Sequence, residues 1–403
     1  MRSPRETPPR VGVFGLLGSG NLGNDGSLEA VLGYLREAHP ASPVDALCGG
    51  PATVTARYRI PATRLHWYHG EYRTASRAGA MAGKGLGKLV DVFRTAAWVR
   101  KHEVVIVPGM GVLEATLPLR PWGFPYSLFL LCAAGRLFRT RVALVGVGAA
   151  PIADRPTRAL VRWSARLAAY RSYRDAESRD AMREMGVDTA RDEVYPDLAF
   201  ALPSPPRGTP DGTVCVGVMD FHGGNDDRAR ADEIHRRYLE GTTRFVRALA
   251  EDGRRVRLLT GDECDTTVVA AILEAVDSPL VTAAEVASLA DLMAETAAAD
   301  AVVAIRYHNL ICALKAGTPT LAVSYAAKSD ALMAGMGLGA YCHPAREVDA
   351  DRLLEQFREL EKHAPELRRT LAGRNEETVR QLDHQFTALT TALFQATAPR
   401  ETP

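Results

Sequence analysis

An arginine and a histidine stand directly after a short apolar run in the second half of the sequence. Arg306 and His308 follow residues 301–305, which have the composition of a buried strand. Ligands bind at the carboxyl ends of such strands in parallel α/β sheets. An arginine there can hold an anion through two hydrogen bonds, and a nearby histidine can deliver a proton. The pair therefore predicts an anion site with His308 as the general acid; a histidine with a purely structural role is the alternative.

Arg174 holds a comparable position in the first half of the sequence. It stands where a predicted strand near Tyr170 gives way to a helix. Either Asp175 or Ser178 can begin that helix, which leaves the guanidinium group of Arg174 to bind a substrate. A surface pair between Arg174 and Asp175 is the alternative that the spacing leaves open.

Two further candidates follow the next strand of the second half. The predicted strand 320–324 is followed by Tyr325 and, three residues later, by Lys328. A lysine at the carboxyl end of a strand can neutralise a phosphate as a point charge. We therefore expect Lys328 and Tyr325 to contribute to the same substrate site.

Two glycine-rich loops follow strands of the first half. The first loop, residues 15–27, opens a helix, so bare backbone N–H groups and the positive helix end suit an anion or a closely approaching substrate. The second loop, residues 108–114, follows the apolar run 104–107. The residues expected to bind substrate in these loops are Gly20, Asn21, Gly23, Asn24, Gly109 and Gly111.

Asp25 and Glu114, one in each loop, are the candidate bases for deprotonating an acceptor. For Glu114 the alternative is a carboxylate that only complements a helix dipole. For the first loop the alternative is a tight turn capped by Asn24, Asp25 or Ser27.

The first loop also spells a dinucleotide-binding motif. Gly18, Gly20 and Gly23 match G-x-G-x-x-G, and Asp45 lies 22 residues beyond Gly23. Asp45 falls inside an apolar run, however, and not at the end of a strand. The spacing thus argues against a nicotinamide cofactor.

The composition limits the classes of protein that remain. Of 403 residues, 46% are hydrophobic and 24% are charged, which excludes a disordered chain. The 49 basic and 48 acidic residues give a net charge of +1, so no overall charge favours nucleic acid. The cysteines are scattered without metal-ligand spacing, which predicts buried thiols in a reducing cytoplasm and no metal. They are Cys48, Cys132, Cys215, Cys264, Cys312 and Cys342.

Short apolar runs alternate with segments of helical period on both sides of a proline-rich stretch, residues 201–213. The pattern predicts two facing Rossmann-like, doubly wound α/β domains, with C-terminal helices that cross back. The expected divisions are a disordered arm at 1–10, an N-terminal domain at 11–200, the linker at 201–213, a C-terminal domain at 214–375 and a helix with a tail at 376–403.

The sequence offers one basic segment for contact with a membrane. Residues 122–134 are too few to span a bilayer, whereas residues 73–101 carry seven basic side chains. The segment predicts peripheral contact at the inner face of the membrane. A solvated helix face or a mobile loop, which its glycines favour, is the alternative.

Together these motifs resemble the polysaccharide pyruvyl transferase family over residues 11–338. The resemblance implies a two-domain fold similar to GT-B glycosyltransferases and the transfer of a pyruvyl group from phosphoenolpyruvate to a sugar as a ketal. It also implies that Arg174, Arg306 and His308 bind the donor. The motifs that carry it are Gly20-Asn21-Leu-Gly23-Asn24, Ser172-x-Arg174-Asp175-x-x-Ser178, Pro196-Asp197-Leu-Ala-Phe200, Arg306-x-His308, Gly317-x-Pro319 and Tyr325-x-x-Lys328.

The implied chemistry suits these residue types. Phosphoenolpyruvate carries a carboxylate and a phosphate, which two arginines, Lys328 and loop N–H groups can neutralise without a metal or another cofactor. The acceptor would be a sugar or a lipid-linked glycan. Two other functions remain open: a GT-B glycosyltransferase that uses a nucleotide sugar, and a non-catalytic protein that binds an anion or a glycan.

Overall fold

The computed structural model describes residues 7–68, 77–114, 121–206, 208 and 211–395, with the backbone alone for 77–84 and 225–226. The chain divides into two compact units. The first unit contains the described residues up to Ser19, Ser27–Leu198 and those from Gln381 onward; the second contains Gly20–Gly26 and Ala199–Arg380. The predicted return of the C-terminal helix is therefore confirmed. Residues 1–6 of the expected arm, Arg73 and the tail 396–403 lie outside the described residues.

In the first unit, the described residues form a seven-stranded parallel sheet in the order β3-β2-β1-β4-β5-β6-β7. Its strands are β1 (Val11–Gly15), β2 (Val44–Cys48), β3 (Ala62–Arg64), β4 (Val104–Pro108), β5 (Arg141–Val147), β6 (Tyr170–Tyr173) and β7 (Glu193–Val194). The helices are α1 (Leu22–Ala38), α2 (Pro51–Tyr58), α3 (Arg77–Val99), α4 (Phe124–Phe138), α5 (Arg155–Leu167) and α6 (Ala176–Glu184).

The second unit contains a six-stranded parallel sheet in the order β10-β9-β8-β11-β12-β13, again counted over the described residues. Its strands are β8 (Thr213–Gly217), β9 (Arg255–Leu259), β10 (Val281–Ala283), β11 (Ala301–Ala304), β12 (Thr320–Ser324) and β13 (Cys342–Pro344). The helices are α7 (Ala231–Glu251), α8 (Thr266–Val276), α9 (Leu289–Ala298), α10 (Tyr307–Lys315), α11 (Ala327–Gly335) and α12 (Ala350–Lys362). Helix α13 (Ala364–Leu393) begins in the second unit and ends in the first. Two parallel-sheet α/β domains confirm the predicted fold class.

Both sheets begin at a central strand and grow outward in two directions. The order reverses between β1 and β4 in the first sheet and between β8 and β11 in the second. Such a reversal opens a crevice at the carboxyl ends of the two neighbouring strands, because their crossover helices lie on opposite faces. The loops after these four strands are thus the places where this fold binds ligands.

The central strands are apolar because both of their faces are covered by helices. All five residues of β4 and all four of β11 are buried, and the sequence shows them as the continuous runs VVIVP and AVVA. Continuous apolar runs, without alternation, are typical of buried parallel strands. Packing of this kind fixes the strand ends, and with them the residues that follow.

The basic segment differs from its predicted mobility. Residues Arg77–Val99 form helix α3, so the mobile-loop interpretation is wrong for them. Asp91, Thr95 and Trp98 are buried on one face of this helix. Burial of that face stabilises the helix despite its glycines. No helix in the described part of the chain is both long and apolar enough to cross a bilayer.

The six cysteines, which all lie within the described residues, are free thiols. Four are buried as predicted, and burial raises the pKa of Cys132 to about 12. The prediction of burial is wrong for Cys264, which is exposed, and for Cys342, which is half-buried. Cys264 lies in the loop after β9, and so close to one of the candidate site loops.

Asp45 is part of a buried polar cluster at the amino end of the first sheet. Trp98 Nε1 donates a 2.7 Å hydrogen bond to its carboxylate, Arg10 Nη2 donates another at 2.7 Å, and His102 Nε2 lies 3.1 Å away. Asp45 pairs in register with Gly12, near the start of β1 and at the opposite end from the glycine loop. A dinucleotide-binding role for Asp45 is thereby excluded.

Replacement of Asp45 by asparagine tests this cluster. Burial alone would raise the pKa of Asp45, but the contacts with His102, Arg10 and Trp98 outweigh it and the pKa is lowered. The stabilisation is therefore present above the unfolded pKa of about 3.9 and is lost as the pH falls through the folded value. We expect Asp45→Asn to cost about 1.5–3 kcal/mol near neutral pH.

Urea unfolding followed by tryptophan fluorescence measures this loss, and the difference from the wild type should shrink in acid. Asp252→Asn, at an exposed pair with Arg358, is the matched control and should change stability by less than about 0.5 kcal/mol. Equal stabilities for Asp45→Asn and the wild type at neutral pH would contradict the assignment.

Candidate functional site

The strand ends of the second unit bring Arg306 into a bidentate ion pair. Its Nε donates to Asp265 Oδ2 at 2.9 Å and its Nη2 donates to Asp265 Oδ1 at 2.5 Å. The side chain of Arg306 is 22% exposed, whereas that of Asp265 is fully buried. Burial alone would lower the pKa of Arg306, but Asp265 more than compensates and raises it. Arg306 is thus a permanent cation whose Nη1 lies outside the pair with Asp265.

Asp265 also accepts hydrogen bonds from three backbone amides. Gly261 N and Asp262 N donate to it at 3.1 and 3.0 Å, and Asp220 N donates at 3.0 Å. It thereby joins the loops after β8 and β9 to the arginine after β11. Sequence reasoning missed Asp265; the signal that could have revealed it is the acidic stretch Asp262-Glu-Cys-Asp265 directly after an apolar strand.

His308 lies in the first turn of α10 and packs against the glycine loop. A Cβ atom on Gly23 would overlap the imidazole ring of His308, so only glycine fits at that position. On its other side the ring meets the Tyr307 ring edge-on, with the centroids 5.6 Å apart. These two contacts orient the imidazole, and they bring His308 and Gly23 together within the second unit.

Asn21 caps helix α1 in this loop. Its Oδ1 accepts a hydrogen bond from Asn24 N at 3.1 Å, and its Nδ2 donates to Asp262 Oδ2 at 3.2 Å. Gly20 has a φ of +90°, a backbone conformation that glycine adopts readily. Asp25 is buried in the first turn of α1, where the helix dipole favours a carboxylate. The helix, predicted to begin near Ser27, therefore begins five residues earlier, at Leu22.

Lys328 lies between two aromatic rings in the first turn of α11. Its Nζ is 5.6 Å from the centre of the Tyr307 ring and 5.9 Å from that of Tyr325. Cation–π contacts of this kind stabilise an ammonium group at about 0.5–2 kcal/mol. The structure thus connects Lys328 and Tyr325 to His308 through the shared neighbour Tyr307.

In the first unit, Arg174 is surrounded by carboxylates. Its side chain is 4% exposed, and its Nη2 donates to Glu114 Oε1 at 2.5 Å. Asp175 Oδ2 lies 3.5 Å from Nε and Asp197 Oδ2 lies 3.8 Å from Nη1. Arg174 does pair with Asp175, but the pair is not on the surface as that alternative supposed, because Arg174 is buried. Glu114 thus pairs with a buried cation, while residues 115–120, which would form a helix beginning at Glu114, lie outside the described residues.

The other polar residues of this motif hold the strand ends together. Ser172 Oγ accepts a 2.9 Å hydrogen bond from Gly146 N, and Ser178 Oγ accepts one of 2.9 Å from Ala149 N. Asp175 begins helix α6 by accepting from Ser178 N at 2.6 Å. The spacing S-x-R-D-x-x-S therefore fixes the carboxyl ends of β5 and β6, between which Arg174 is placed.

The second glycine loop has a left-handed backbone. Gly109 and Met110 have φ angles of +47° and +62°, and a methionine in this region stores strain of about 1–3 kcal/mol. A Cβ on Gly109 would overlap the hydroxyl of Ser27, and one on Gly111 would lie 2.8 Å from the carboxyl carbon of Glu114. Both glycines thus make room for neighbouring side chains of the first unit.

Two glycines of helix α1 give a matched test of the packing on His308. Gly23→Ala places a methyl group on the imidazole, whereas Gly33→Ala on the same helix meets nothing within 4 Å. We expect Gly33→Ala to stabilise the protein by about 0.5–1 kcal/mol, since alanine favours helix over glycine. We expect Gly23→Ala to destabilise it, because the imidazole must move.

Urea unfolding measures both variants, and the histidine NMR signals locate any displacement of His308. A stabilising Gly23→Ala substitution, with unchanged histidine signals, would show that His308 does not pack on this glycine.

A model of the polysaccharide pyruvyl transferase family matches residues 21–326 of the chain. The match includes Arg174, Arg306 and His308 and ends before Lys328. No curated protein matches the sequence.

Solved structures share the fold at low sequence identity. The UDP-GlcNAc 2-epimerase from Neisseria meningitidis, bound to UDP-GlcNAc, superposes with a TM-score of 0.60 at 12% identity, covering 96% of this chain and 99% of its own. MurG from Acinetobacter baumannii gives 0.54 at 13% identity, covering 95% and 100%. HepE from Anabaena, in complex with UDP and glucose, gives 0.53 at 11% identity, covering 94% and 100%. These likenesses show a two-domain fold of the GT-B class.

Proposed function

The chain belongs to the polysaccharide pyruvyl transferase family and is a transferase, and we propose that it moves a pyruvyl group from phosphoenolpyruvate to two hydroxyls of a sugar, forming a ketal. The observation that carries the proposal is the Arg306–Asp265 pair beside the oriented imidazole of His308. It offers a fixed cation and a proton donor at neighbouring positions after one strand. Phosphoenolpyruvate, an anionic enol phosphate, requires both.

Donor binding falls to the cations of the second unit. Asp265 fixes the plane of the Arg306 guanidinium, and Nη1 lies outside that pair. Lys328, half-buried between Tyr307 and Tyr325, supplies a second positive charge. A carboxylate and a phosphate on one small molecule suit two such cations and the backbone N–H groups at the start of α10. We assign Arg306 and Lys328 to the donor.

The reaction is balanced by one proton donor and one base. His308 protonates C3 of phosphoenolpyruvate, which leaves an oxocarbenium-like C2. One sugar hydroxyl attacks C2, phosphate departs, and the second hydroxyl closes the ring. Each hydroxyl loses its proton: one proton restores His308, and the other passes through a base to the departing phosphate, so hydrogen phosphate and the ketal are the only products. Arg306 contributes electrostatically, by stabilising the negative charge on the departing phosphate.

The base is better assigned to Asp25 than to Glu114. The carboxylate of Glu114 lies against the buried guanidinium of Arg174, with Nη2 2.5 Å from Oε1, so Glu114 is engaged within the first unit. Arg174 meets three carboxylates, so we assign it to holding Glu114, Asp175 and Asp197 in place. We assign the proton acceptor to Asp25, because it lies in the same turn of α1 as Gly23, which packs against the proposed acid His308.

Ligand-dependent melting tests the donor. Millimolar phosphoenolpyruvate should raise the melting temperature of the wild type, and Arg306→Ala should abolish the shift. Arg257→Ala is the matched control, since Arg257 forms the same two-bond pair with Glu295 away from these strand ends. UDP, GDP and NADH in parallel distinguish a nucleotide-sugar transferase and a dehydrogenase from the proposed reaction.

A shift with UDP and none with phosphoenolpyruvate would favour the nucleotide-sugar alternative. Mass spectrometry of a sugar acceptor after incubation then separates an enzyme from a binding protein. An acceptor that gains one pyruvyl ketal with the wild type, and at least a hundredfold less with His308→Gln, supports the assigned acid.

Helix α3 offers a surface for a lipid-linked acceptor. Leu86, Leu89 and Phe93 lie at helical spacing and are 56%, 61% and 74% exposed. Trp122 is 62% exposed, and its ring packs against that of Tyr126. The hydroxyl of Tyr126 donates a hydrogen bond to the backbone carbonyl of Lys88 in α3, which connects Trp122 to this helix. An apolar stripe of this kind inserts into the interface of a bilayer. Exposed cations at the adjoining helix ends suit anionic lipid; they are Arg100, Lys101, Arg136 and Arg139.

We assign this stripe to peripheral contact with an anionic membrane, at its cytoplasmic face. The four buried free thiols suit a reducing compartment. The proximity of the ends of α3 and α4 is fixed by Thr140 Oγ1, which donates to Val99 O at 3.1 Å. Apolar and basic groups therefore occupy one continuous side of the first unit.

Vesicle co-sedimentation tests the membrane contact. We expect the wild type to bind vesicles containing phosphatidylglycerol more strongly than neutral ones, and Phe93→Glu to bind at least tenfold less, because a buried aromatic ring contributes about 1.5–3 kcal/mol. Trp163→Ser, at another exposed aromatic residue, is the control and should bind as the wild type does. Equal binding by Phe93→Glu and the wild type would remove α3 from the contact.

A further inference from the structure

Two histidines converge on one carboxylate in the loop after β8. His222 Nε2 lies 2.9 Å and His235 Nδ1 lies 3.4 Å from Asp220 Oδ1. One ligand atom from each of the three side chains lies within 4.8 Å of the others. The side chains are partly exposed, at 32% for Asp220, 46% for His222 and 27% for His235. The cluster is thus accessible to a small ion.

The separations match those between neighbouring ligands of a metal ion. Imidazole nitrogen and carboxylate oxygen bind zinc at about 2.0–2.2 Å, which places adjacent ligand atoms about 2.8–3.6 Å apart in tetrahedral or octahedral geometry. Both nitrogen–oxygen distances fall in that range. We propose that Asp220, His222 and His235 bind a divalent first-row transition metal ion, of the Zn²⁺, Co²⁺, Ni²⁺ or Fe²⁺ class.

The donor set determines the class of ion. Two imidazoles and one carboxylate suit zinc and the late first-row metals and leave coordination positions open. Magnesium prefers oxygen ligands and keeps its water, so this site should discriminate against it. The open positions take water or an anionic oxygen.

The backbone of this loop is fixed on both sides of the cluster. Asp220 N donates to Asp265 Oδ1 at 3.0 Å, and Met219 N donates to Tyr238 Oη at 3.2 Å. The ring of Phe221, 2% exposed, packs 5.7 Å from that of Tyr238. Supports of this kind orient metal ligands and raise affinity. Asp220 is therefore placed by the structure before any ion binds.

The two imidazoles stack in nearly parallel planes. Because a metal ion lies in the plane of each imidazole that binds it, joint coordination requires the exposed ring of His222 to turn out of the stack. His235 lies in the first turns of α7, and its ring stacks on that of His222 with the centroids 4.3 Å apart and the planes 7° apart. His235 Nδ1 is within 3.3 Å of Phe221 O as well as near Asp220. Without a metal the two rings can donate hydrogen bonds to Asp220 through these same nitrogens. The test must separate the two states.

The site adjoins the cation after β11 through one residue. Asp265 accepts from Asp220 N and pairs with Arg306, and β8 and β11 are neighbours at the reversal of strand order. A bound divalent ion would add positive charge at the same sheet edge as Arg306. The inference rests on the geometry of the second unit alone and does not depend on the proposed reaction.

Titration of the chelator-treated full chain with Co²⁺ and Zn²⁺ tests the site. We expect one ion per chain, a visible absorption band for Co²⁺, and displacement of that band by Zn²⁺. His222→Ala and His235→Ala should each weaken Co²⁺ binding at least tenfold, while Mg²⁺ should not compete. His363→Ala removes an exposed histidine whose imidazole lies near Glu359 at the end of α12, and it should leave the affinity unchanged.

His222 is on an exposed loop, so His222→Ala reports on metal binding even if His235→Ala perturbs helix α7. Asp220→Asn is a third variant, in which the side chain keeps its shape and loses its charge. Unchanged Co²⁺ affinity in His222→Ala and Asp220→Asn would overturn the proposal. So would the absence of a Co²⁺ band in a wild type that still melts cooperatively.

Discussion

The candidate site of the second unit depends on one buried carboxylate. Asp265 is fully buried, yet it carries a charge that Arg306 and three backbone amides compensate together. Removal of one partner from a buried pair costs about 3–5 kcal/mol, because the other charge is left without compensation. The loops after β8 and β9 and the arginine after β11 therefore behave as one electrostatic unit, and the orientation of Arg306 follows from loops far away in the sequence.

The first unit uses the opposite arrangement, with one buried arginine among acids. Arg174 meets Glu114, Asp175 and Asp197, so its charge is balanced within the protein. Among the described residues, Arg306 forms an ion pair with one carboxylate, that of Asp265, and keeps part of its guanidinium outside that pair. Two arginines that look equivalent in the sequence thus differ in what they can offer to an anion. This difference favours Arg306 as the cation that binds the donor.

The sequence was sufficient to predict the alternation of strands and helices and the positions of Arg306 and His308, because buried parallel strands are continuous apolar runs with polar residues at their ends. Asp265 was not predictable in the same way. An acidic residue before a helix usually serves as a cap, and only the fold shows that Arg306 reaches it. The sequence did not predict helix α3, because glycines disfavour helix locally. In the structure Gly87 makes space for Tyr68, since a Cβ atom on Gly87 would lie only 2.8 Å from the Cβ of Tyr68. Tertiary packing outweighs local preference there.

The glycines of the first loop, residues 15–27, can be explained in two physical ways. Its spacing suggests a phosphate cradle, in which glycine lets a ligand approach the backbone. In this chain, Gly23 instead makes room for the imidazole of His308, and Asn21 uses its own side chain to satisfy the amide of Asn24. Part of the helix end is thus occupied by the protein itself. The loop therefore acts first by orienting the imidazole of His308, which is the proton donor in the proposed reaction.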